Sequence, residues 1–237
     1  MSRVTAPRPA AAPWVTPVTL VGRRVRLEPL GAGHLPGLVA AGADPSTWIW
    51  MRTPLTDEAA MRAWLEDALR ARDAGAEMPF ATLDAAAGTV LGSTRYMGIA
   101  RAHRRLEIGW TWLAPAARGT GVNTETKLLL LEHAFERLGA HRVELRTDAL
   151  NGRSRAALAA IGATFEGISR RHMVMASGRV RDTAWYAIVD EDWPVVRERL
   201  RTRLAAQPRD VGAAQAAGAP AQAGDAPAPA DEEGPRR

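Results

Sequence analysis

The segment from Arg118 to Asn123 carries the clearest chemical pattern in the sequence, two glycines separated by one residue just before a predicted long helix. Gly119 and Gly121 allow the backbone to approach a ligand closely, because neither carries a side chain. The first backbone N–H groups of a helix have no intrahelical partner. Together these features predict a site for an anion, especially a pyrophosphate, although a simple tight turn would leave the same pattern.

Two nucleotide-binding motifs do not fit this segment. A P-loop ends in Gly-Lys-Ser or Gly-Lys-Thr, whereas Val122 and Asn123 follow Gly121 here. A dinucleotide-binding fingerprint needs a third glycine, and Glu125 stands nearby instead. Both motifs are therefore set aside.

The segment lies between a predicted strand and a predicted helix. Arg105–Leu113 alternates in polarity, which predicts a strand that carries Leu106, Ile108, Trp110 and Trp112 on one side and Glu107, Gly109 and Thr111 on the other. Val122–Leu138 predicts a long helix that ends at Gly139. A second strand, Arg142–Thr147, leads through Asn151 and Ser154 into a helix that stops at Gly162.

Across the chain, six or seven predicted strands interleave with four or five predicted helices, which indicates one mixed α/β domain. We expect this domain to span residues 18–204, between a disordered segment, 1–17, and a disordered tail rich in Ala, Pro and Gly, 205–237. From Gln207 onward, Val211 is the only apolar side chain larger than alanine or proline. Such a tail buries too little surface to offset the entropy of ordering it.

The order strand, Arg-Gly-x-Gly, helix, strand, Asn-x-x-Ser, helix, Gly resembles the GCN5-related N-acetyltransferases, the GNAT family. It is most similar to the RimJ/RimL-like branch, and its specific part runs from Glu107 to Gly162. The resemblance implies a central, mostly antiparallel sheet of six or seven strands flanked by four or five helices. It also implies direct transfer of an acetyl group from acetyl-CoA to a protein N-terminal amine or a small-molecule amine, without an acyl-enzyme or a metal.

The resemblance further assigns residues to the co-substrate. The Gly-x-Gly turn would hold the pyrophosphate of acetyl-CoA, and the strand before it would run beside the pantetheine arm. The residues expected to bind acetyl-CoA are Trp112, Leu113, Arg118, Gly119, Thr120, Gly121, Val122, Asn123, Asn151 and Ser154.

Two positions depart from the family's pattern. Ala116 stands where a Gln or Arg is usual, and Arg118 is a possible compensating cation. Leu158 stands where many relatives have a tyrosine that protonates the departing thiolate. The branch instead places a serine at Ser154, which we expect to donate a proton or hydrogen bond to the CoA sulfur. A plain helix-capping role for Ser154, and a turn-shaping role for Asn151, are the structural alternatives.

An alkylammonium must lose a proton before it can attack a thioester, so the reaction needs a base. Glu107 is the candidate, acting directly or through water. The alternative is a structural carboxylate paired with Arg104, Arg105 or Arg146.

The acceptor groove would be lined by Trp48, Trp50, Met51 and His172, although such tryptophans more often pack in the core or in a lid than contact a ligand. The five histidines show no metal-ligand spacing, so no metal is expected. The exposed face of the last hairpin could support a homodimer. The sequence does not identify the acceptor or the acyl group.

Composition excludes several protein classes. The absence of cysteine excludes disulfide frameworks and thiolate sites. No apolar run reaches the length of a membrane span, and prolines near the N-terminus replace the apolar stretch of a signal peptide, so a cytoplasmic protein is expected. The net charge is +5, but the basic residues are scattered, which disfavours nucleic-acid binding. A non-catalytic acyl-CoA-binding or regulatory module on the same fold is the alternative to an enzyme.

Overall fold

The computed structural model describes residues 13–207, so most of the segments 1–17 and 205–237 that we expect to be disordered lie outside it. Trp14, which belongs to the first segment, packs against the core. Its indole N–H donates a 2.9 Å hydrogen bond to the carbonyl oxygen of Leu138. Packing therefore begins before Val18, the expected start of the domain.

One sheet of eight strands organises the fold, in the spatial order β1-β2-β3-β4-β5-β6-β8-β7. The strands are β1 (Leu20–Val21), β2 (Val25–Pro29), β3 (Met78–Asp84), β4 (Val90–Ala100), β5 (Arg105–Leu113), β6 (Arg142–Asp148), β7 (Thr164–Val174) and β8 (Val180–Val189). All neighbours are antiparallel except β5 and β6, which are parallel. The predicted mixed fold with a mostly antiparallel sheet is confirmed, and β1 is the strand that sequence patterns did not indicate.

Five α-helices flank the sheet, namely α1 (Leu35–Gly42), α2 (Glu58–Asp73), α3 (Val122–Glu132), α4 (Gly152–Ala160) and α5 (Trp193–Ala206). The helix expected over Val122–Leu138 is α-helical only to Glu132. It continues as a π-helical turn over His133–Arg137.

The helices cover the sheet from both sides. Leu106 of β5 packs in one buried cluster with Leu131 of α3 and Leu200 of α5, and we call this side the α3 face. The opposite side, the α2 face, buries Leu38 of α1 and Trp64 of α2 in a second cluster. The central strands of the sheet are therefore covered on both faces.

Strand β5 contains a β-bulge at its centre. Ser93 of β4 pairs with Trp112, but Arg95, two residues further on, pairs with Gly109, so β5 has one extra residue in this interval. Trp110 takes a left-handed conformation, with φ of +50°, which side chains other than glycine rarely adopt. The extra residue reverses which face of the sheet the side chains after it occupy.

Because of the bulge, the side chains of β5 do not alternate between the two faces as expected. Trp110 and Trp112 both approach Trp64 on the α2 face, with ring centroids 6.3 Å apart in each pair. Thr111 instead faces Lys127 of α3. The expected placement of both tryptophans beside Leu106 and Ile108 is wrong, because the bulge turns the strand after Gly109.

The sheet opens between β5 and β6. These strands pair only where Arg105–Glu107 meets Arg142–Glu144, and no pairing follows beyond Glu107. The remainder of β5 therefore presents an edge inside the sheet. This gap lies directly before the glycine turn that starts α3.

A buried carboxylate fixes the start of α3 to the turn between β1 and β2. Glu125 is 3% exposed, and it accepts backbone hydrogen bonds from Arg23 at 3.0 Å, Arg24 at 2.6 Å and Val25 at 2.8 Å. Three converging N–H donors need an acceptor-only group, which a carboxylate is and an amide is not.

Glu125→Gln is therefore expected to lower the free energy of unfolding by about 2–4 kcal/mol, the scale of losing hydrogen bonds to a charged group. Urea unfolding followed by circular dichroism measures this change. Glu58→Gln on the exposed surface of α2 is the matched control, because its ion pair with Arg62 is largely solvated. Equal urea midpoints for the two variants would contradict the assigned role of Glu125.

Candidate active site

A cavity of about 410 Å³ occupies the gap between β5 and β6. It is lined from the α3 face by Ile108, Thr111, Asn123, Lys127, Asn151, Ser154 and Leu158. From the α2 face it is lined by Trp50, Met51, Arg52, Glu107, Trp110, Arg146, Asp148 and Arg181. The opening in the sheet thus joins groups from both of its faces in one space.

The glycine turn forms one end of this region. Gly119 and Gly121 have φ values of +80° and +87°, in the left-handed region that favours glycine. A Cβ atom on Gly119 would meet open space, whereas one on Gly121 would lie 2.5 Å from Nη1 of Arg24. The open space beside Gly119 therefore leaves room for a ligand. Gly121 instead packs against Arg24, where a side chain would clash.

The start of α3 offers free donors at this turn. Among residues 13–207, no side chain caps the helix at Gly121. Arg24 donates a 2.7 Å hydrogen bond to the carbonyl oxygen of Thr120, which holds the turn in place. Uncapped amides at a helix N-terminus favour a negatively charged group.

Two arginines stand close to the turn. Arg118 donates to the carbonyl oxygen of Leu113 at 3.2 Å and to Oγ1 of Thr47 at 2.9 Å. Burial lowers the pKa of Arg118, and the nearby charge of Arg153 lowers it further. Arg153 was not indicated by the sequence, since it occupies a variable position of the Asn-x-x-Ser motif.

Apart from Arg118, Gly119 and Gly121, the residues expected to bind acetyl-CoA fall into two groups. Asn123, Asn151 and Ser154 line the cavity. The side chains of Trp112, Leu113, Thr120 and Val122 are instead buried in the protein. Only the backbone of this second group is placed to meet a ligand.

Asn151 and Ser154 have distinct positions at the start of α4. Oδ1 of Asn151 accepts a 3.0 Å hydrogen bond from the backbone N–H of Ser154, so Asn151 is the capping residue. Ser154 lies in the first turn and lines the cavity. A capping role for Ser154 is therefore not what the structure shows.

Glu107 both lines the cavity and forms an ion pair. Its Oε1 accepts a 2.8 Å hydrogen bond from Nε of Arg146, and its side chain is 7% exposed. Burial raises the pKa of Glu107 above its usual 4.5, Arg146 opposes this rise, and Glu144 adds to it. The carboxylate is thus a weaker acid than usual at a position that reaches the cavity.

Lys127 is a cavity residue that the sequence did not indicate. It is the only lysine in the chain, it is 5% exposed, and its Nζ donates a 2.8 Å hydrogen bond to Oγ1 of Thr111. None of the carboxylates in residues 13–207 forms an ion pair with it. Burial lowers the pKa of Lys127 to about 7, so its amine loses the proton near neutral pH.

The four residues expected in the acceptor groove separate. Trp50 and Met51 line the cavity. Trp48 does not, because it is buried against Trp112 and donates a 2.8 Å hydrogen bond to the carbonyl oxygen of Gly42. His172 is exposed outside the lining, where its Nδ1 lies 3.0 Å from Oγ1 of Thr183.

Neither a membrane-spanning helix nor a metal site is found among the described residues. No helix within residues 13–207 is long and apolar enough to cross a membrane. Over the same range, no three His, Cys, Asp or Glu side chains lie together as a metal site would require.

Comparison with known proteins places this site in a family. Residues 24–164 match the family described as "Acetyltransferase (GNAT) domain". The protein named "Putative ribosomal N-acetyltransferase YdaF" from Bacillus subtilis (strain 168) is 29% identical over 106 residues, which are 45% of this chain and 57% of that protein. The chain thus matches little more than half the length of this curated relative.

Solved structures show the same fold. A GCN5-related N-acetyltransferase from Brucella melitensis is 35% identical, with a TM-score of 0.76 over 82% of this chain and 88% of that one. RimJ of Mycobacterium smegmatis, solved with CoA-disulfide, is 23% identical, with a TM-score of 0.69 over 79% of this chain and 95% of that one. Because the family match spans more than half of the sequence, the chain belongs to the GNAT family of acetyltransferases.

Proposed function

We propose that the protein transfers the acetyl group of acetyl-CoA to a primary amine, on a protein N-terminus or on a small molecule. The observation that carries this proposal is the cavity itself, which extends from the α3 side of the sheet to the buried carboxylate of Glu107. Co-substrate and acceptor would enter from opposite faces and meet in the gap between β5 and β6.

The chain offers a binding group for each part of acetyl-CoA. The uncapped amides after Gly119 suit the pyrophosphate, and Arg118 and Arg153 add positive charge beside it. The edge of β5 beyond Glu107 leaves backbone groups for the pantetheine arm, because β6 does not pair there. The bound co-substrate supplies the acetyl thioester.

Glu107 would then receive the proton that the amine must lose, directly or through water. Burial raises its pKa, which makes the carboxylate a stronger base than usual, and Arg146 keeps it oriented. Ser154 faces the same cavity from α4, where its hydroxyl would hydrogen-bond the CoA sulfur.

Thiol release from acetyl-CoA, measured with a panel of amines and N-terminal peptides, tests the proposal. Release that depends on one class of amine supports an N-acetyltransferase. Tight CoA binding without release from any amine would instead favour a non-catalytic acyl-CoA-binding module. A cytoplasmic location and a homodimer stay predictions from the sequence.

The glycine turn provides a separate test of co-substrate binding. Gly119→Asp places a carboxylate in the open space beside the predicted pyrophosphate. We expect about 100-fold weaker CoA binding by calorimetry, because charges about 6 Å apart at an effective dielectric of about 20 repel by about 3 kcal/mol.

Gly119→Asn is the matched control, since it has nearly the same shape without the charge. Asn and Asp are also the residues that best tolerate the left-handed conformation at this position. Equal CoA affinities for the two variants would contradict a phosphate site at Gly119.

A further inference from the structure

The α2-face end of the cavity carries more positive than negative charge. Arg146, Arg179 and Arg181 converge there on two carboxylates, Glu107 and Asp148. Arg146 pairs with Glu107, and Arg179 pairs with Asp148. The third arginine, Arg181, is left to share a carboxylate that is already paired.

Arg181 lacks a close partner of its own. Its nearest carboxylate contact joins Nε to Oδ2 of Asp148 at 3.9 Å, which is too long for a hydrogen bond. The residue is only 9% exposed, and its Nε is buried without a hydrogen-bond partner among residues 13–207. The guanidinium nevertheless lines the cavity.

A buried guanidinium in this state is poised for an anion. Its planar set of N–H donors matches a carboxylate in two parallel hydrogen bonds, and leaving it unpaired in a low-dielectric space is costly. Arg181 and Glu107 are also close enough for Glu107 to raise the pKa of Arg181, although burial lowers it overall. The two groups therefore act on the same small volume.

Charge also constrains the acceptor. An alkyl amine arrives as an ammonium at neutral pH. The cavity is lined by Arg52, Arg146 and Arg181 and by the carboxylates Glu77, Glu107 and Asp148. Each of these carboxylates is already paired with an arginine, so the wall as a whole repels a simple cation. An acceptor that carries its own carboxylate offsets this repulsion and enters as a zwitterion.

We infer that the acceptor is an amine with a carboxylate close to its amino group, and that Arg181 binds this carboxylate while Glu107 faces the amine. This inference deepens the proposed function and rests on it. Two sources share the chemistry, a free amino acid and a peptide N-terminus followed by an acidic residue. A polyamine carries no carboxylate and therefore does not fit this inference.

Matched pairs of ligands test the inference. Glutamate and glutamine amide, and the peptides Ser-Asp-Ala and Ser-Asn-Ala with amidated C-termini, differ within each pair chiefly in negative charge. Their affinity for the CoA-saturated protein is measured by calorimetry, and thiol release from acetyl-CoA is measured in parallel. We expect the acidic member of one pair to bind at least about 10-fold more tightly, and the pair that does so identifies the source.

Variants of Arg181 assign the preference to one side chain. Arg181→Gln is expected to remove most of the preference for the acidic ligand while neutral ligands bind as before, and Arg181→Lys to restore part of it. Arg62→Gln on the exposed surface of α2 is the control and should keep the full preference. Thermal melting of each variant confirms that it is folded.

The binding and release readouts separate the two proposals. A carboxylate preference in binding without thiol release would support the carboxylate site at Arg181 but contradict transfer to these amines. Thiol release with equal or better use of neutral amines would overturn the inference and keep the acetyltransferase. Failure of every acidic ligand to bind, or an unchanged preference in Arg181→Gln, would overturn it as well.

Discussion

Glu107→Gln is expected to lower kcat by about 10²–10⁴-fold with little change in the KM for acetyl-CoA, the usual range for loss of a general base. The fold should survive, because the amide oxygen of glutamine still accepts the hydrogen bond from Arg146 that holds Glu107 in place. Steady-state thiol release with a saturating amine measures both constants.

The pH profile distinguishes a base from a structural carboxylate. Burial raises the pKa of Glu107, so activity should fall as the pH drops through a value above 4.5, where the carboxylate becomes protonated. This acidic limb should vanish in Glu107→Gln, since glutamine does not titrate. A variant with normal kcat and an intact acidic limb would leave Glu107 as the partner of Arg146 only.

Glu144 provides the control on the neighbouring strand. It is paired with Arg105 and Arg142, it does not line the cavity, and its charge contributes to the raised pKa of Glu107. Glu144→Gln should therefore keep kcat and move the acidic limb to lower pH. A shift of the acidic limb to lower pH in Glu144→Gln would show that this limb reports the titration of Glu107.

The order of elements around the glycine turn was predictable because each signal there is local. Gly119 and Gly121 need their conformations whatever surrounds them, and Gly139 ends its helix region by the same rule. The bulge in β5 was not predictable, because an extra residue exists only relative to β4. The polarity alternation within Arg105–Leu113 gives no information about how β5 pairs with β4.

The burial of charged groups was also not predictable from the sequence, because it too depends on distant parts of the chain. Glu125 and Lys127 stand in the polar first half of α3, as they would on a solvated helix. Their environment is set by distant parts of the chain, the turn at Arg23 for one and Thr111 of the bulged strand for the other. Arg181 likewise depends on Asp148 across the β6–β8 pair.

Lys127→Met is expected to stabilise the fold by up to about 5 kcal/mol at neutral pH. The pKa of Lys127 falls from its usual 10.5 to about 7 on folding, and each pKa unit corresponds to about 1.4 kcal/mol. Methionine has a similar length and no charge to desolvate, and it loses only the hydrogen bond to Thr111. A gain of this size is large beside the total stability of a typical domain.

The sign of the pH dependence follows from the two protonation states. Above pH 10.5 the amine is neutral in both the folded and the unfolded chain, so the wild-type protein carries no penalty. As the pH falls toward 7 the unfolded chain binds a proton that the folded chain refuses, and wild-type stability drops. Below about 7 both states are protonated, and the penalty stays at its full size.

Urea unfolding of wild type and Lys127→Met between pH 6 and pH 10.5 measures this difference directly. The advantage of the variant should be largest near and below pH 7 and should shrink steadily toward pH 10.5. Lys127→Arg is the opposite control, because a guanidinium stays charged throughout and should destabilise the fold across the whole range. A pH-independent difference between Lys127→Met and wild type would mean that Lys127 is solvated in the folded protein, and the cavity wall around Thr111 would then be open to water.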